Sequence, residues 1–247
     1  NRVRKDWLGA GTGDAADWNV RSGSGGLIDA PAGSSVTNIT QVTNASLGDG
    51  AQVNVQATSG TETFNMDAYN EVVAHDKVKL DSGGAIAVAK AVSKVLVDRS
   101  DATVSFGANS RVNSDLGNIS AGSRSVVDIE TRAAADTYGL AGAPSGEAYS
   151  VFNGNNTTEV RTGALLHASD GEIFLAGGQD SNRSASNINV HSKVNLWNKT
   201  AFPINSTPDA RSIVLNNANI RTDAGSVVEA AGDISLYADR GTISTTA

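Results

Sequence analysis

The chain has 247 residues, a net charge of −7, no cysteine and few aromatics, and Gly, Ala, Ser, Asn, Thr, Asp and Val dominate it. The missing cysteine removes disulfides, cysteine-based zinc sites and thiol catalysis together. Charges of both signs are scattered, so no basic stripe exists to neutralise phosphates, and no run of roughly 20 apolar residues could span a bilayer. Neither a nucleic-acid partner nor membrane insertion is expected.

Residues 1–35 read as a Gly/Ser-rich lead-in, either a cap or the loop of a preceding coil. Gly9-Ala10-Gly11-Thr12-Gly13-Asp14 and Arg21-Ser22-Gly23-Ser24-Gly25-Gly26 are loop chemistry, with glycines that permit positive φ. Trp7 and Trp18 flank the first run. They fit a packing role at an open end better than a carbohydrate-stacking pair. The chain begins at Asn1 without an initiator Met or a signal sequence, as expected of a piece of a longer protein.

From Val36 to Ala247 short apolar alternations dominate, as in Val53-Asn54-Val55, Phe64-Asn65-Met66, Val78-Lys79-Leu80 and Ile86-Ala87-Val88. A period of two places one side of each strand in a core. Gly48-Asp49-Gly50, Asp81-Ser82-Gly83-Gly84, Asp98-Arg99-Ser100-Asp101, Asn153-Gly154-Asn155 and Asn216-Asn217 read as the corners between strands. Ala85–Leu96 alone has a helical composition. Its aligned counterparts carry Pro144, Pro203 and Pro208, which would break a helix, so a strand cut short at Lys90 is expected.

Three blocks, 72–112, 126–166 and 188–228, superpose without gaps, their starts about 54 and 62 residues apart. Val72, Val126 and Ile188 then share a column, as do Ile86, Leu140 and Phe202; Val97, Val151 and Ile213; and Val112, Leu166 and Val228. A unit of this length signals a repeat architecture with a shared core. The expected fold is all-β, a parallel β-helix (β-solenoid) with three short strands per coil and loop excursions. A coil of roughly 20 residues would give 11 or 12 coils in a rod on the order of 55 Å long. The array is expected to continue past Ala247. Excursions are expected at Tyr138–Glu147 and Trp197–Asp209, and with them a contact surface bearing Tyr138, Trp197 and Phe202.

No catalytic, cofactor or metal site is expected. Acids sit singly beside turn residues. Asp128 and Glu130 alone could share a strand face and serve acid–base chemistry of a polysaccharide-degrading β-helix. His75 and His191 fall in one repeat column, which points to a structural role, and His167 stands apart. Calcium-binding solenoids carry tandem Gly-Gly-x-Gly-x-Asp repeats, of which residues 9–14 are one imperfect copy.

Asp170-Gly171-Glu172-Ile173-Phe174-Leu175-Ala176-Gly177-Gly178 and Gly232-Asp233-Ile234-Ser235-Leu236-Tyr237-Ala238 resemble the recurring coil of filamentous-haemagglutinin-like exoproteins. Asp136-Thr137-Tyr138-Gly139-Leu140-Ala141-Gly142-Ala143 and Asn195-Leu196-Trp197-Asn198-Lys199-Thr200-Ala201-Phe202-Pro203-Ile204 are similar to segments of the leukotoxin-type filamentous adhesins. The resemblance covers about residues 40–247. It implies a long right-handed parallel β-helix, secreted and held at the bacterial surface. Residues 1–35 do not match the family's secretion domain, and no anchoring segment is recognised. The expected function is a non-catalytic rod that attaches to a host or neighbouring-cell receptor or glycan. Alternatives are an architectural filament subunit joined to further copies and, third, a β-helix enzyme.

Overall fold

A computed structural model describes residues 2–5, 20–56 and 63–247. Trp7, Trp18 and the Gly9–Asp14 motif lie outside the described residues. Among the described residues the chain is all-β, without a helix, and every strand-to-strand ladder is parallel. It begins with β1 (Arg2–Lys5), β2 (Val20–Asp29), β3 (Ala32–Leu47) and β4 (Gln52–Val55), followed by the long β5 (Thr63–Phe106). Next come β6 (Arg111–Ser114), the long β7 (Asn118–Val160), β8 (Leu165–Ala168) and β9 (Ile173–Gly177). The last strands are β10 (Asn187–Pro203), β11 (Thr207–Thr222), β12 (Val227–Ala230), β13 (Ile234–Ala238) and β14 (Thr242–Thr246).

The register shows that one turn of the chain is one whole repeat block. Val72 pairs with Val127 and Phe106 with Val160. One block further on, Val127 pairs with Ile188 and Val151 with Ile213. The expected coil of three short strands would pair each residue with one much nearer in sequence, and no ladder does so. Four layers follow, seen most plainly in the short sheet β4-β6-β8-β12, and β13 and β14 open a fifth. At about 4.8 Å per layer the stack is only ~20 Å high, well short of the expected rod.

Each layer is a flattened loop. In β5, residues 63–84 run outward and 86–106 return, so that side chains of the two arms meet across the interior. The Phe64 and Phe106 rings lie 6.3 Å apart, and the Ser93 hydroxyl donates to the Asp76 carboxylate at 2.6 Å. Leu80 packs against Ala89 and Ala91 close to the reversal. An arm of roughly 20 residues at ~3.3 Å each reaches about 65 Å. The third, short side is β6 with its corners. Three sides per turn are present, two of them long.

Corners recur at one position in every layer. Gly50, Asn109, Gly163 and Gly225 all have φ between 56° and 72°, and each precedes a residue whose amide closes the turn. Those bonds run from Ala51 to Gly48, Ser110 to Gly107, Ala164 to Arg161 and Ser226 to Asp223. Left-handed φ favours Gly and is tolerated by Asn, which explains the residue types. Of the other expected corners, Asp81–Gly84 lies at the reversal. Asp98–Asp101, Asn153–Asn155 and Asn216–Asn217 lie within continuous strands.

The interior is banded. One apolar cluster gathers Phe106, Val112, Ile119, Leu166 and Ile173; the next Val72, Val97, Ile129, Phe152 and Ile188; the last Val78, Leu80 and several alanines. Each fully buried Val, Leu, Ile or Phe contributes ~1.5–3 kcal/mol. Rows of buried polar side chains separate the clusters. In the first row Asn70 accepts from Gln41 Nε2 at 3.1 Å and donates to the Asp101 carbonyl at 2.8 Å, while Asn156 donates to Asn216 at 3.3 Å. In the second, Ser35 and Ser93 each donate to Asp76 at 2.6 Å, and Thr131 meets Ser150 at 2.9 Å. Buried polar groups are tolerated because they are partnered.

Two further expectations change. Parallel pairing starts ahead of Val36, because β2 and the beginning of β3 already lie in register on β5. Lys90 does not end a strand: it points outward while Ala87, Ala89 and Ala91 point in, so alternation runs unbroken through 85–96.

Candidate functional site

The contact surface expected from the sequence lies where the arms reverse. On the outer face of the outgoing arm, Asp81, Asp136 and Trp197 form one column across three layers, and Gly83, Tyr138 and Lys199 the next. Tyr138 and Trp197 are 40% and 58% exposed. The Lys199 ammonium sits 4.5 Å from the centre of the Trp197 ring and 5.7 Å from that of Tyr138, so one cation bridges both aromatic faces.

Below the aromatics the face is charged. Lys79 lies 3.5 Å from Asp136 and Arg21 3.9 Å from Asp81. Burial pushes the Asp136 carboxyl above its ordinary range; Lys79 opposes the rise and the Asp81 charge adds to it. Burial, then Asp136 and Asp81, also raise the Tyr138 phenol. The acids are therefore not all single. Asp81 and Asp136, distant in sequence, are opposite partners in adjacent layers.

Phe202 stands past the reversal, in a column with Ile28, Ile86 and Ala141, and is 65% exposed. It extends an apolar strip that includes Leu140 and Val88. The turn itself is tight. Gly139 has φ of 130°, and a Cβ there would lie 1.8 Å from the Gly84 carbonyl oxygen. The expected excursions at Tyr138–Glu147 and Trp197–Asp209 do not leave the layers. Lys199, Thr200, Phe202 and Pro203 stay paired with β7, and only residues 204–206 fall between β10 and β11.

The real insertion lies elsewhere, at residues 178–186 between β9 and β10. In the layer below, Arg124 and Ser125 alone span the same gap, so most of this segment is extra. The loop is pinned to the sheet: Ser181 donates through its amide and hydroxyl to Asp67 at 2.6 and 2.5 Å. Asp180 accepts from the Asn182 and Ser184 amides and pairs with Arg124 at 3.2 Å. The sequence held its signal, because block spacing grows from about 54 to 62 between segments that otherwise align without gaps.

The acids and histidines weighed for chemistry are engaged in pairs. Asp128 and Glu130 do share the outer face. Asp128 meets His75 Nε2 at 3.0 Å, and Glu130 pairs with Arg132 two residues along its own strand. His75 and His191 share a column with Glu130 between them, and His191 meets the Thr246 hydroxyl at 2.6 Å. His167 lies 3.7 Å from Glu229. Among the described residues no three His, Asp or Glu side chains converge as a metal site. No family model matches the chain, and comparison with curated proteins and with solved structures finds no similar chain.

Proposed function

We propose that the chain is a non-catalytic adhesive segment of a secreted or surface-displayed bacterial filamentous adhesin. In this reading the layers wind as a right-handed parallel β-helix, and the aromatic tip makes the attachment. The supporting observation is the exposed Tyr138–Lys199–Trp197 cluster, carried on a ladder whose backbone partners fix its position. A stiff scaffold lowers the ordering cost of binding, and repeated weak contacts add by avidity. The filamentous-haemagglutinin-like coil motifs supply the family part of the reading. The partner is a receptor or glycan on a host or neighbouring cell.

The test is Trp197→Ala and Phe202→Ala in a cell-attachment assay, with circular dichroism as the check on fold. Attachment should fall several-fold while the β spectrum stays the same. Unchanged attachment by both folded variants contradicts the assignment of the tip.

A further inference from the structure

The outer face of the returning arm carries a groove that is distinct from the tip cluster. Three adjacent columns run across layers two to four: Lys90, Ser145 and Thr207; Val92, Glu147 and Asp209; Lys94, Tyr149 and Arg211. Two hollows lie along them, of about 260 and 280 Å³, and Glu147 and Asp209 line both. They form one shallow trough rather than separate dimples.

The side chains are already held. Lys94 Nζ lies 2.5 Å from Glu147 Oε1 and 6.0 Å from the centre of the Tyr149 ring. Arg211 Nε donates to Asp209 at 2.8 Å, and that bond, with Tyr149 and Glu147 nearby, raises the guanidinium pKa further. The phenol ring thus stands between two cations, with the two carboxylates in the next column. Each carboxylate retains lone pairs and each cation retains N–H groups beyond those used here.

This pattern selects by charge. An anion reaching Lys94 or Arg211 meets Glu147 or Asp209 one column away, and a cation meets the reverse. A polyol suffers neither penalty, since each hydroxyl both donates and accepts. Rows ~4.8 Å apart across layers and ~6.6 Å along the strand offer such partners at regular intervals beside an aromatic ring that can stack on the C–H face of a pyranose. We propose that this trough binds a short segment of uncharged glycan, with Tyr149 as the stacking platform and Glu147, Asp209, Lys94 and Arg211 as hydroxyl partners. The proposal does not rest on the adhesin reading, because it concerns another face and other residues.

Calorimetric titration of the whole chain tests it with four probes: neutral tetrasaccharides of β-1,4-glucose, β-1,4-N-acetylglucosamine and α-mannose, and a sulfated tetrasaccharide. At least one neutral probe should bind with Kd below about 1 mM, with little dependence on salt. Tyr149→Ala and Asp209→Asn should each weaken it by about tenfold or more. The Asp209 side chain is nearly half exposed, so its variant remains informative even if Tyr149→Ala misfolds. Three results would each overturn the proposal: no saturable neutral binding, preference for the sulfated probe, or binding indifferent to the substitutions in a folded protein.

Discussion

A single inserted residue decides which side chains form the core. Asp98 has no register partner in either neighbouring layer; Val97 pairs with Phe152 and Ser100 with Gly154. Across this bulge the offset between the second and third layers drops by one, so a gapless alignment is right on only one side. It matches Val112 with Leu166, as the ladder does, but sets Val97 beside Val151 and Ile213. The interior column is Val97, Phe152 and Val214, while Leu96, Val151 and Ile213 face outward. A one-residue slip exchanges the two faces of a strand, and adjacent apolar pairs such as Leu96-Val97 and Val151-Phe152 hide it in the sequence. Phe152→Ala should therefore cost about 3–5 kcal/mol, and Val151→Ala less than about 1.5 kcal/mol, in denaturant unfolding. Equal losses would contradict the register.

Asp29 provides a test by acid. The Ser24 hydroxyl first, then Ser82 and the Gly83 amide, hold its carboxyl below the usual range against the opposing effect of burial. A depressed carboxyl stabilises the fold above its unfolded pKa and loses that contribution as pH falls through the folded value. The Gly83 amide donates to Asp29 at 3.0 Å. Its hydrogen-exchange protection should decline below about pH 4 and become insensitive to acid in Asp29→Asn. Protection that does not change with acid in the unsubstituted protein would show that the Asp29 contacts do not hold the tip. Asp136, raised by burial, works in the opposite sense: acid relieves its cost.

At the level of elements, the sequence revealed strands and misled about their length. Asn70, Asp76, Ser93, Ser100, Thr131 and Ser150 are inward-facing and hydrogen-bonded across the interior. Read without that partner, each looks like a break between short strands. Periodicity reports which residues alternate; it does not report that a polar residue is satisfied by one 17 to 31 positions away. The corner at Gly48–Gly50 was legible because it needs a left-handed residue, and those at 109, 163 and 225 obey the same rule. Tyr138, Trp197 and Phe202 are expected on loops that leave the layers; they are exposed, but on paired strands beside the reversal. The Asp81–Asp136 pairing was not legible, since only the register joins residues so far apart in the chain.

The loop at 178–186 is an addition to the ladder rather than part of it. Excising 179–185 leaves two residues, the number that spans this gap in the layer below. The shortened protein should keep its β circular dichroism but lose about ten degrees in Tm, because the Arg124–Asp180 pair is mostly buried, with side chains 23% and 16% exposed, and excision leaves Arg124 without that carboxylate. Loss of the fold on excision would show that the loop organises the layers.

Across the whole molecule, each turn consumes one whole repeat block and lies flat on the next. This makes a broad, thin stack with two long faces, so outer-face columns act as rows of like positions one layer apart. The absence of cysteine makes site-directed spin labelling clean. Labels at Asn113→Cys and His167→Cys occupy opposite positions in adjacent layers. Labels at Asn113→Cys and Arg132→Cys would be neighbours only if a coil held about 20 residues; along an extended arm they lie tens of ångströms apart at ~3.3 Å per residue. Dipolar broadening of the electron paramagnetic resonance spectrum should be strong for 113 with 167 and absent for 113 with 132. The reverse result would contradict the account.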